Sequence, residues 1–146
     1  MVTTRLAAQE DFEAVSRLLT ELGRTPLDDA NEERFRSVYR RQIEDPSCRH
    51  LVAELEGTVV GFCALHFRDR LNRPLPESWI PDLIVDPAVR RRGVGRALLE
   101  EAARRSRDAG CYELDLESGA ERLGAHQLYR SAGMVEGLAF VLRLGP

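Results

Sequence analysis

The chain has 146 residues, 43% of them hydrophobic, which is enough to bury a core without a metal or disulfide, so we expect one domain over residues 1–146. Its formal net charge of −3 argues against broad nucleic-acid binding and mildly favours an amine-bearing substrate. No basic, apolar leader opens the chain and no apolar run is long enough to cross a bilayer, so we expect a soluble protein with no membrane partner. Cys48, Cys63 and Cys111 lack Cys-x-x-Cys spacing, which predicts no metal site and fits a reducing, cytoplasmic location.

Two helices are predicted early in the chain, where apolar side chains recur at helical spacing. The first helix covers residues 9–22 and is ended by Gly23. The second contains the stripe from Phe35 to Ile43 and ends before Pro46.

A β-hairpin and a loop are predicted next. Leu51–Leu55 and Val59–Phe67 are rich in β-compatible side chains and flank Glu56-Gly57-Thr58, a pattern typical of antiparallel strands joined by a tight turn. The prolines within residues 68–76 break both periodicities and predict a loop. Because loops commonly carry specificity, we expect this one to take part in substrate selection.

The second half of the chain alternates strands and helices. In chain order, the pattern predicts a strand at Trp79–Val85, a helix closed by Gly110, a strand at Tyr112–Glu117, a helix from Ala125 to Ala132 and a last strand at Phe140–Leu144. Strand, helix and strand in succession predict a right-handed parallel crossover. Together, these elements predict a mixed α/β sheet without an internal repeat.

The most informative stretch joins the Trp79–Val85 strand to the next helix. Asp86-Pro87 leads into Arg90-Arg91-Arg92-Gly93-Val94-Gly95, a glycine-bearing turn at a helix start. Unpaired N–H groups and the helix dipole attract anions there, and glycine lets a phosphate approach the main chain. The arginines could instead be a solvated turn or a nucleic-acid patch, but no aromatic residues interleave with them. We therefore predict a site for a phosphate-bearing ligand.

This Arg-x-x-Gly-x-Gly spacing resembles the acyl-CoA pyrophosphate loop of the GNAT superfamily of N-acetyltransferases. Downstream, Ala125–Met134 resembles the family's Ala-x-x-x-Tyr helix ending in Gly-Phe, with Met134 in place of the phenylalanine. The element order is similar to the GNAT fold over nearly the full chain. The resemblance implies a GNAT-like single domain, with a mixed central sheet of about six to seven strands, a first strand at Thr3–Leu6, and about four flanking helices.

The resemblance also implies acetyl-CoA as the acyl donor and assigns its contacts. Backbone groups of Leu83, Ile84 and Val85 are implied to pair with the pantetheine arm. The residues implied to surround the pyrophosphate are Arg90, Arg91, Arg92, Gly93, Val94, Gly95 and Arg96. Tyr129 is implied to be the general acid that protonates the departing thiolate. Outside the family context, a tyrosine that only packs in the core is the alternative.

The general base, which takes a proton from the attacking amine, has several candidates. Glu117 ranks first, because it precedes the tyrosine at a spacing similar to that in some peptide N-terminal acetyltransferases of the family. Asp82 ranks second, and Glu77 lies just before the strand that should hold the cofactor. Each could instead be an ion-paired or solvated carboxylate. His66 and His126 are further candidate proton carriers, because histidine titrates near neutrality.

The sequence therefore predicts an acetyl-CoA-dependent N-acetyltransferase that moves an acetyl group to a primary amine by direct attack in a ternary complex. The acceptor is expected to be a small molecule or a peptide amine, and the expected partners include neither nucleic acid nor membrane; a homodimer is left open. The alternative is a noncatalytic acyl-CoA-binding sensor or interaction module. Arg122 stands where many family members have asparagine, so the contact made by that asparagine is not expected here.

Overall fold

The computed structural model describes residues 1–119 and 122–145. Internal contacts divide the chain into two compact units, Met1–Leu116 and Glu117–Pro146. The first unit holds both β-sheets and three of the α-helices, and the second holds one α-helix.

The described residues form four α-helices and seven strands. The helices are α1 (Phe12–Glu21), α2 (Glu32–Glu44), α3 (Val94–Asp108) and α4 (Leu123–Ser131). The strands are β1 (Val2–Leu6), β2 (Leu51–Leu55), β3 (Thr58–Cys63), β4 (His66–Arg68), β5 (Glu77–Ile80), β6 (Leu83–Val85) and β7 (Leu114–Leu116). Short 3₁₀ turns lie at Gln9–Asp11 and Pro87–Val89. These elements confirm the predicted mixed α/β class, and within the described ranges no helix has the length and apolar character needed to span a bilayer.

The strands form two sheets, one with the order β1-β2-β3-β6 and the other with the order β4-β5-β7. The predicted hairpin is confirmed: β2 and β3 pair antiparallel, and Glu56 and Gly57 of the turn both have positive φ, 53° and 79°. The predicted parallel pairing is also confirmed, because β5 and β7 run in parallel with Trp79 opposite Asp115.

Two predicted strands are each divided between the sheets, so their prediction as continuous strands was wrong. Trp79–Val85 is in fact β5 followed by β6, with Pro81 and Asp82 between them. Proline has no N–H to donate to a sheet ladder, so the chain leaves one sheet there and enters the other. Val59–Phe67 divides in the same way between β3 and β4. The two sheets therefore separate at Pro81–Asp82, beside the strand that was predicted to hold the cofactor.

A buried cluster fixes β6 against the first two helices. Its members are Ala7, Phe12, Val15, Leu18, Tyr39, Val52, Phe62, Ala64 and Ile84. Leu18 lies on α1, Tyr39 on α2 and Ile84 on β6, so one apolar core holds both helices and this strand together.

Helix α3 packs on the other strands through a close approach at Gly61 of β3. A Cβ at Gly61 would lie 2.8 Å from Val94 Cγ1 and 2.9 Å from Leu98 Cδ1, so a larger residue would push the helix away. Val94 and Leu98 are 1% and 0% exposed. Gly61 also lies opposite Val85 in the β3–β6 ladder. The close contact therefore fixes the first turn of α3 near the end of β6.

The second unit contains α4 and a C-terminal segment without regular structure. The predicted helix is confirmed, and Gly133 after it has a φ of 89°. The predicted strand at Phe140–Leu144 was wrong, because residues 134–145 form neither helix nor strand. Phe140 is 90% exposed and Leu142 is 83% exposed. β-compatible composition does not make a strand unless a partner strand supplies hydrogen bonds.

Candidate active site

The connection from β6 to α3 begins with a structured acidic residue, Asp86. Its backbone N–H donates to Val60 O at 2.8 Å, and its Oδ1 accepts from Ala88 N at 2.9 Å. Arg17 Nη1 of α1 lies 3.3 Å from Asp86 Oδ2. The N–H of Ala88, followed by the charge of Arg17, holds the pKa of Asp86 below its usual value. Asp86 thus anchors the loop to the sheet and to α1.

The rest of this connection contains two residues in the left-handed region of backbone conformation. Arg91 has a φ of 67°, and Gly93, the N-cap of α3, has a φ of 81° and makes no side-chain capping bond. The helix therefore begins without a side chain on its first N–H groups, which is the condition for an anion site. Arg90, Arg91 and Arg92 are all exposed there.

The other predicted loop residues have different surroundings. Val94 is buried beneath the helix, so only its main chain can face a ligand. Gly95 is half-buried, and Arg96 is exposed with its Nη1 3.9 Å from Glu100 Oε1. The predicted stretch therefore supplies main-chain donors at its centre and guanidinium groups at its ends.

Strand β6 is an edge strand of the four-stranded sheet. It pairs only with β3 among the described residues, through Leu83 opposite Cys63 and Val85 opposite Gly61. Leu83 and Ile84 are buried, and their side chains pack in the core. An edge strand keeps a row of main-chain groups available on its outer side. The proposed pairing of an extended ligand with β6 requires such an edge.

Asp82, at the break between the sheets, is paired with Arg24. Arg24 Nε donates to Asp82 Oδ1 at 3.0 Å, and Arg24 Nη2 donates to the same oxygen. The Asp82 side chain is 19% exposed and that of Arg24 is 55% exposed. Asp82 is therefore a carboxylate that solvent reaches and that has a cationic partner. That partner, Arg24, was not among the residues predicted from the sequence.

Glu77 is unsuited to the base role because its carboxylate is buried and ion-paired. Its side chain is 0% exposed, and its Oε1 lies 3.1 Å from Arg68 Nε and 2.9 Å from Arg70 Nη1. A hydrogen bond with Asp115, followed by those arginines, lowers the pKa of Glu77. Burial, followed by the same hydrogen bond, raises the pKa of Asp115 to about 6. Glu77, Glu113 and Asp115 could together approach a cation, but the Glu77 carboxylate is already paired with Arg68 and Arg70.

The raised pKa of Asp115 predicts a pH-dependent stability. Folded Asp115 binds its proton more tightly than the unfolded chain, so this contribution is full below about pH 4 and is lost as the pH rises through about 6. Asp115→Asn keeps an amide donor beside Glu77 without titrating. Relative to this variant, the wild-type free energy of unfolding should fall by about 1 to 2 kcal/mol between about pH 4 and about pH 7. Urea unfolding at several pH values measures this difference.

Glu33→Gln, at an exposed position on α2, is the control for removing a carboxylate. This variant should follow the wild-type pH profile. If Asp115→Asn also follows the wild-type profile, Asp115 does not hold the extra proton.

The remaining predicted residues belong to the second unit. Glu117 is exposed and lies one residue beyond β7, so the predicted strand ends earlier than expected. Tyr129 lies on α4 with 7% exposure, and its carbonyl accepts from Met134 N at 3.0 Å. His126 Nε2 lies 2.8 Å from Gly119 O, so this ring is already engaged in a local hydrogen bond. Arg122 is the N-cap of α4 and makes no side-chain capping bond.

A group of possible metal ligands lies elsewhere in the first unit. Cys48, His50 and His66 each place one ligand atom within 4.8 Å of the others. His50 Nδ1 accepts from Leu65 N at 3.0 Å, and its Nε2 lies 2.6 Å from Gln42 Oε1. Burial lowers the pKa of His50 to about 4, so the ring is neutral with both nitrogens in hydrogen bonds. A metal would have to displace one of these bonds, and the absence of a metal site stays a prediction.

His66 is half-buried and engaged in a local contact. Its Nδ1 lies 3.4 Å from Cys48 Sγ, and burial lowers its pKa. The residues of the first unit that remain suited to the predicted chemistry are thus the edge strand β6, the loop after it and Asp82.

Comparison with known proteins identifies the family. A model of the Acetyltransferase (GNAT) family matches residues 12–134. The aminoalkylphosphonate N-acetyltransferase of Salmonella typhimurium is 31% identical over 129 residues, which are 88% of this chain and 82% of that protein. The aminoglycoside N(6')-acetyltransferase type 1 of Stenotrophomonas maltophilia is 33% identical over 92% of this chain and 86% of that protein.

A solved structure extends the similarity to three dimensions. The crystal structure of a Trypanosoma brucei acetyltransferase matches with a TM-score of 0.76 at 25% identity, covering 100% of both chains. With a family match over residues 12–134 and relatives more than 30% identical across most of their length, the chain belongs to the acetyltransferase (GNAT) family and is an acyltransferase that uses acetyl-CoA.

Proposed function

We propose that residues 1–146 act as one domain that transfers the acetyl group of acetyl-CoA directly to a primary amine in a ternary complex. The observation that carries the proposal is the succession of the edge strand β6, a loop with left-handed residues, and the uncapped start of α3. An extended donor with phosphates at one end fits these three features in order.

In this proposal the chain binds the donor through its main chain. Backbone groups of Leu83, Ile84 and Val85 align the pantetheine arm and its thioester. The pyrophosphate is held by the loop residues Arg90, Arg91, Arg92, Gly93, Val94, Gly95 and Arg96. Backbone N–H groups near Val85 polarise the thioester carbonyl, whose developing negative charge they stabilise.

Three proton transfers accompany the reaction. A carboxylate, Glu117 or Asp82, takes the first proton from the acceptor ammonium and leaves the free amine to attack the carbonyl carbon. The carbon–sulfur bond then breaks as Tyr129 donates its phenolic proton to the departing thiolate, and the second proton lost by the attacking nitrogen, directly or through water, restores the Tyr129 phenol. The products are the N-acetyl amide and CoA. The names of two relatives give aminoalkylphosphonates and aminoglycosides as their acceptors. A small amine is therefore the favoured acceptor class for this chain.

Calorimetric titration tests the donor site first. Acetyl-CoA should bind in the micromolar range and desulfo-CoA similarly, because both keep the pyrophosphate and pantetheine arm, whereas ATP should bind much more weakly. Arg34→Ala, at an exposed position on α2, is a control that should leave these affinities unchanged. The absence of binding to either CoA species would overturn the proposal.

Turnover then separates an enzyme from a noncatalytic acyl-CoA sensor. Loss of thioester absorbance is followed with a panel of polyamines, amino acids, aminoalkylphosphonates, aminoglycosides and peptides with free N-termini. Acetylation of any acceptor, verified by mass, supports an enzyme. Acyl-CoA binding without transfer to any member of the panel favours the sensor.

A further inference from the structure

The Arg24–Asp82 ion pair joins the end of α1 to the break between β5 and β6. The two residues are 58 positions apart in sequence, and both hydrogen bonds go to Asp82 Oδ1. The pair lies at an accessible surface, since both side chains retain exposure to solvent. Asp82 immediately precedes the Leu83–Val85 segment that the proposed function assigns to the thioester.

The main chain holds both partners in place. Gly23 has a φ of 103°; its N–H donates to Thr20 O at 3.0 Å, and the N–H of Arg24 donates to Leu19 O at 2.9 Å. These two bonds form a Schellman motif, which fixes the residue after the glycine. The carbonyl of Asp82 accepts from Ala64 N at 2.9 Å. The two charges are therefore set opposite each other by helix and sheet geometry.

The ion pair leaves one nitrogen of the guanidinium and one oxygen of the carboxylate without a hydrogen bond between them. Arg24 Nη1 and Asp82 Oδ2 make no hydrogen bonds to residues in the described parts of the chain. A guanidinium nitrogen of this kind donates well to carboxylates and phosphonates, and a carboxylate oxygen accepts well from an ammonium group. The surface therefore presents a cationic donor beside an anionic acceptor.

A small zwitterion matches this arrangement. We propose that the acceptor, within the function proposed above, is a small zwitterion whose ammonium binds Asp82 Oδ2 and whose carboxylate or phosphonate binds Arg24 Nη1. The ammonium is then placed next to β6, where its deprotonated form can attack the thioester. Arg24 and Asp82 thus select the acceptor by two charges of opposite sign.

Simple amines fit the pair less well. A monoamine can bind Asp82 but gives Arg24 no anion, and a diamine brings its second positive charge near the guanidinium. Since an exposed ion pair is easily rearranged, neither partner is locked against substrate. Discrimination therefore depends on whether the substrate anion satisfies Arg24.

The test compares acceptors of matched length. The probes are 2-aminoethylphosphonate and β-alanine as zwitterions, propylamine as the monoamine, and 1,3-diaminopropane as the dication. Wild-type kcat/KM should be about 10- to 100-fold higher for one or both zwitterions than for propylamine, the range expected for a charge-assisted hydrogen bond. The two zwitterions distinguish a carboxylate from a phosphonate as the preferred anion.

Arg24→Ala should bring the ratio of zwitterion to propylamine kcat/KM close to one, and Arg24→Lys should restore part of it. Arg34→Ala is the matched control for loss of an exposed arginine and should keep the wild-type ratio. Binding of the zwitterions to protein saturated with desulfo-CoA is measured by calorimetry in parallel, so that the result does not depend on turnover.

The outcomes separate this inference from the proposed function. If acetyl-CoA binds but the kcat/KM for 1,3-diaminopropane or propylamine equals that for the zwitterions, the acceptor inference fails. The proposed acetyltransferase activity then stands. The inference also fails if Arg24→Ala keeps the wild-type ratio of zwitterion to propylamine kcat/KM. It fails as well if the wild-type protein neither acetylates nor saturably binds either zwitterion. Failure of acetyl-CoA to bind at all removes the proposed function itself.

Discussion

Tyr129→Phe is expected to lower kcat by about 100-fold, because removal of a general acid usually costs 10²- to 10⁴-fold in rate. The thiolate of CoA would then depart without a proton donor. Affinity for acetyl-CoA should change by no more than about twofold, since the phenol acts on charge that develops during the reaction and not on the bound ground state. Single-turnover kinetics with saturating acetyl-CoA and an acceptor found in the amine panel measure the chemical step directly.

The control for this prediction is Tyr112→Phe, which removes the hydroxyl group of an exposed tyrosine. Arg73 Cζ lies 5.4 Å from the centre of the Tyr112 ring, a contact that the variant keeps. That variant should retain wild-type kcat. A purely structural role for the Tyr129 hydroxyl would lower the melting temperature and weaken acetyl-CoA binding along with activity, so both are measured for each variant. Unchanged kcat in Tyr129→Phe contradicts the acid assignment.

Local sequence patterns were sufficient to predict the helices and the glycine-bearing turn before α3. Helices α1 and α2 were predicted from apolar spacing that ends at Gly23 and before Pro46, signals contained within each segment. The loop before α3 was predicted from Arg90–Gly95 in the same way, because glycine and arginine carry their conformational and charge preferences with them.

Features that depend on distant partners could not be predicted in this way. The Phe140–Leu144 strand was inferred from composition, but a strand needs a neighbouring strand that composition does not supply. The predicted Trp79–Val85 strand ran through Pro81, and only the structure reveals that the chain changes sheets there. The pairing of Arg24 with Asp82 and of Glu77 with Asp115 likewise depends on contacts between separate elements.

The role of Gly61 illustrates the same limit and leads to the second large effect. Within β3 this residue is merely a glycine in a strand, and nothing nearby in sequence explains it. Its reason lies in α3, where Val94 and Leu98 occupy the space that a side chain would need.

Gly61→Ala is expected to destabilise the protein by about 1 to 3 kcal/mol, the usual cost of overfilling a packed core. Its Cβ would lie 2.8 Å from Val94 Cγ1, closer than nonbonded carbons tolerate, and neither Val94 nor Leu98 has solvent to move into. Because Val94 begins α3, the shift should also displace the proposed phosphate-binding N–H groups and weaken acetyl-CoA binding by about tenfold. Urea unfolding and calorimetric titration measure the two effects separately.

Two further variants make this prediction specific. Gly124→Ala introduces the same methyl group into α4, where a Cβ would meet nothing within 4 Å, and should leave stability unchanged or raise it. Adding Val94→Ala to Gly61→Ala removes the Cγ1 atom that the new methyl group strikes, so the double variant should lose less stability than the sum of the two single changes. Additive losses would mean that Gly61 is not kept for this contact, and a wild-type affinity for acetyl-CoA in Gly61→Ala would mean that the position of α3 does not govern donor binding. The joint outcome therefore decides whether a single missing side chain in β3 sets the geometry of a loop about thirty residues away.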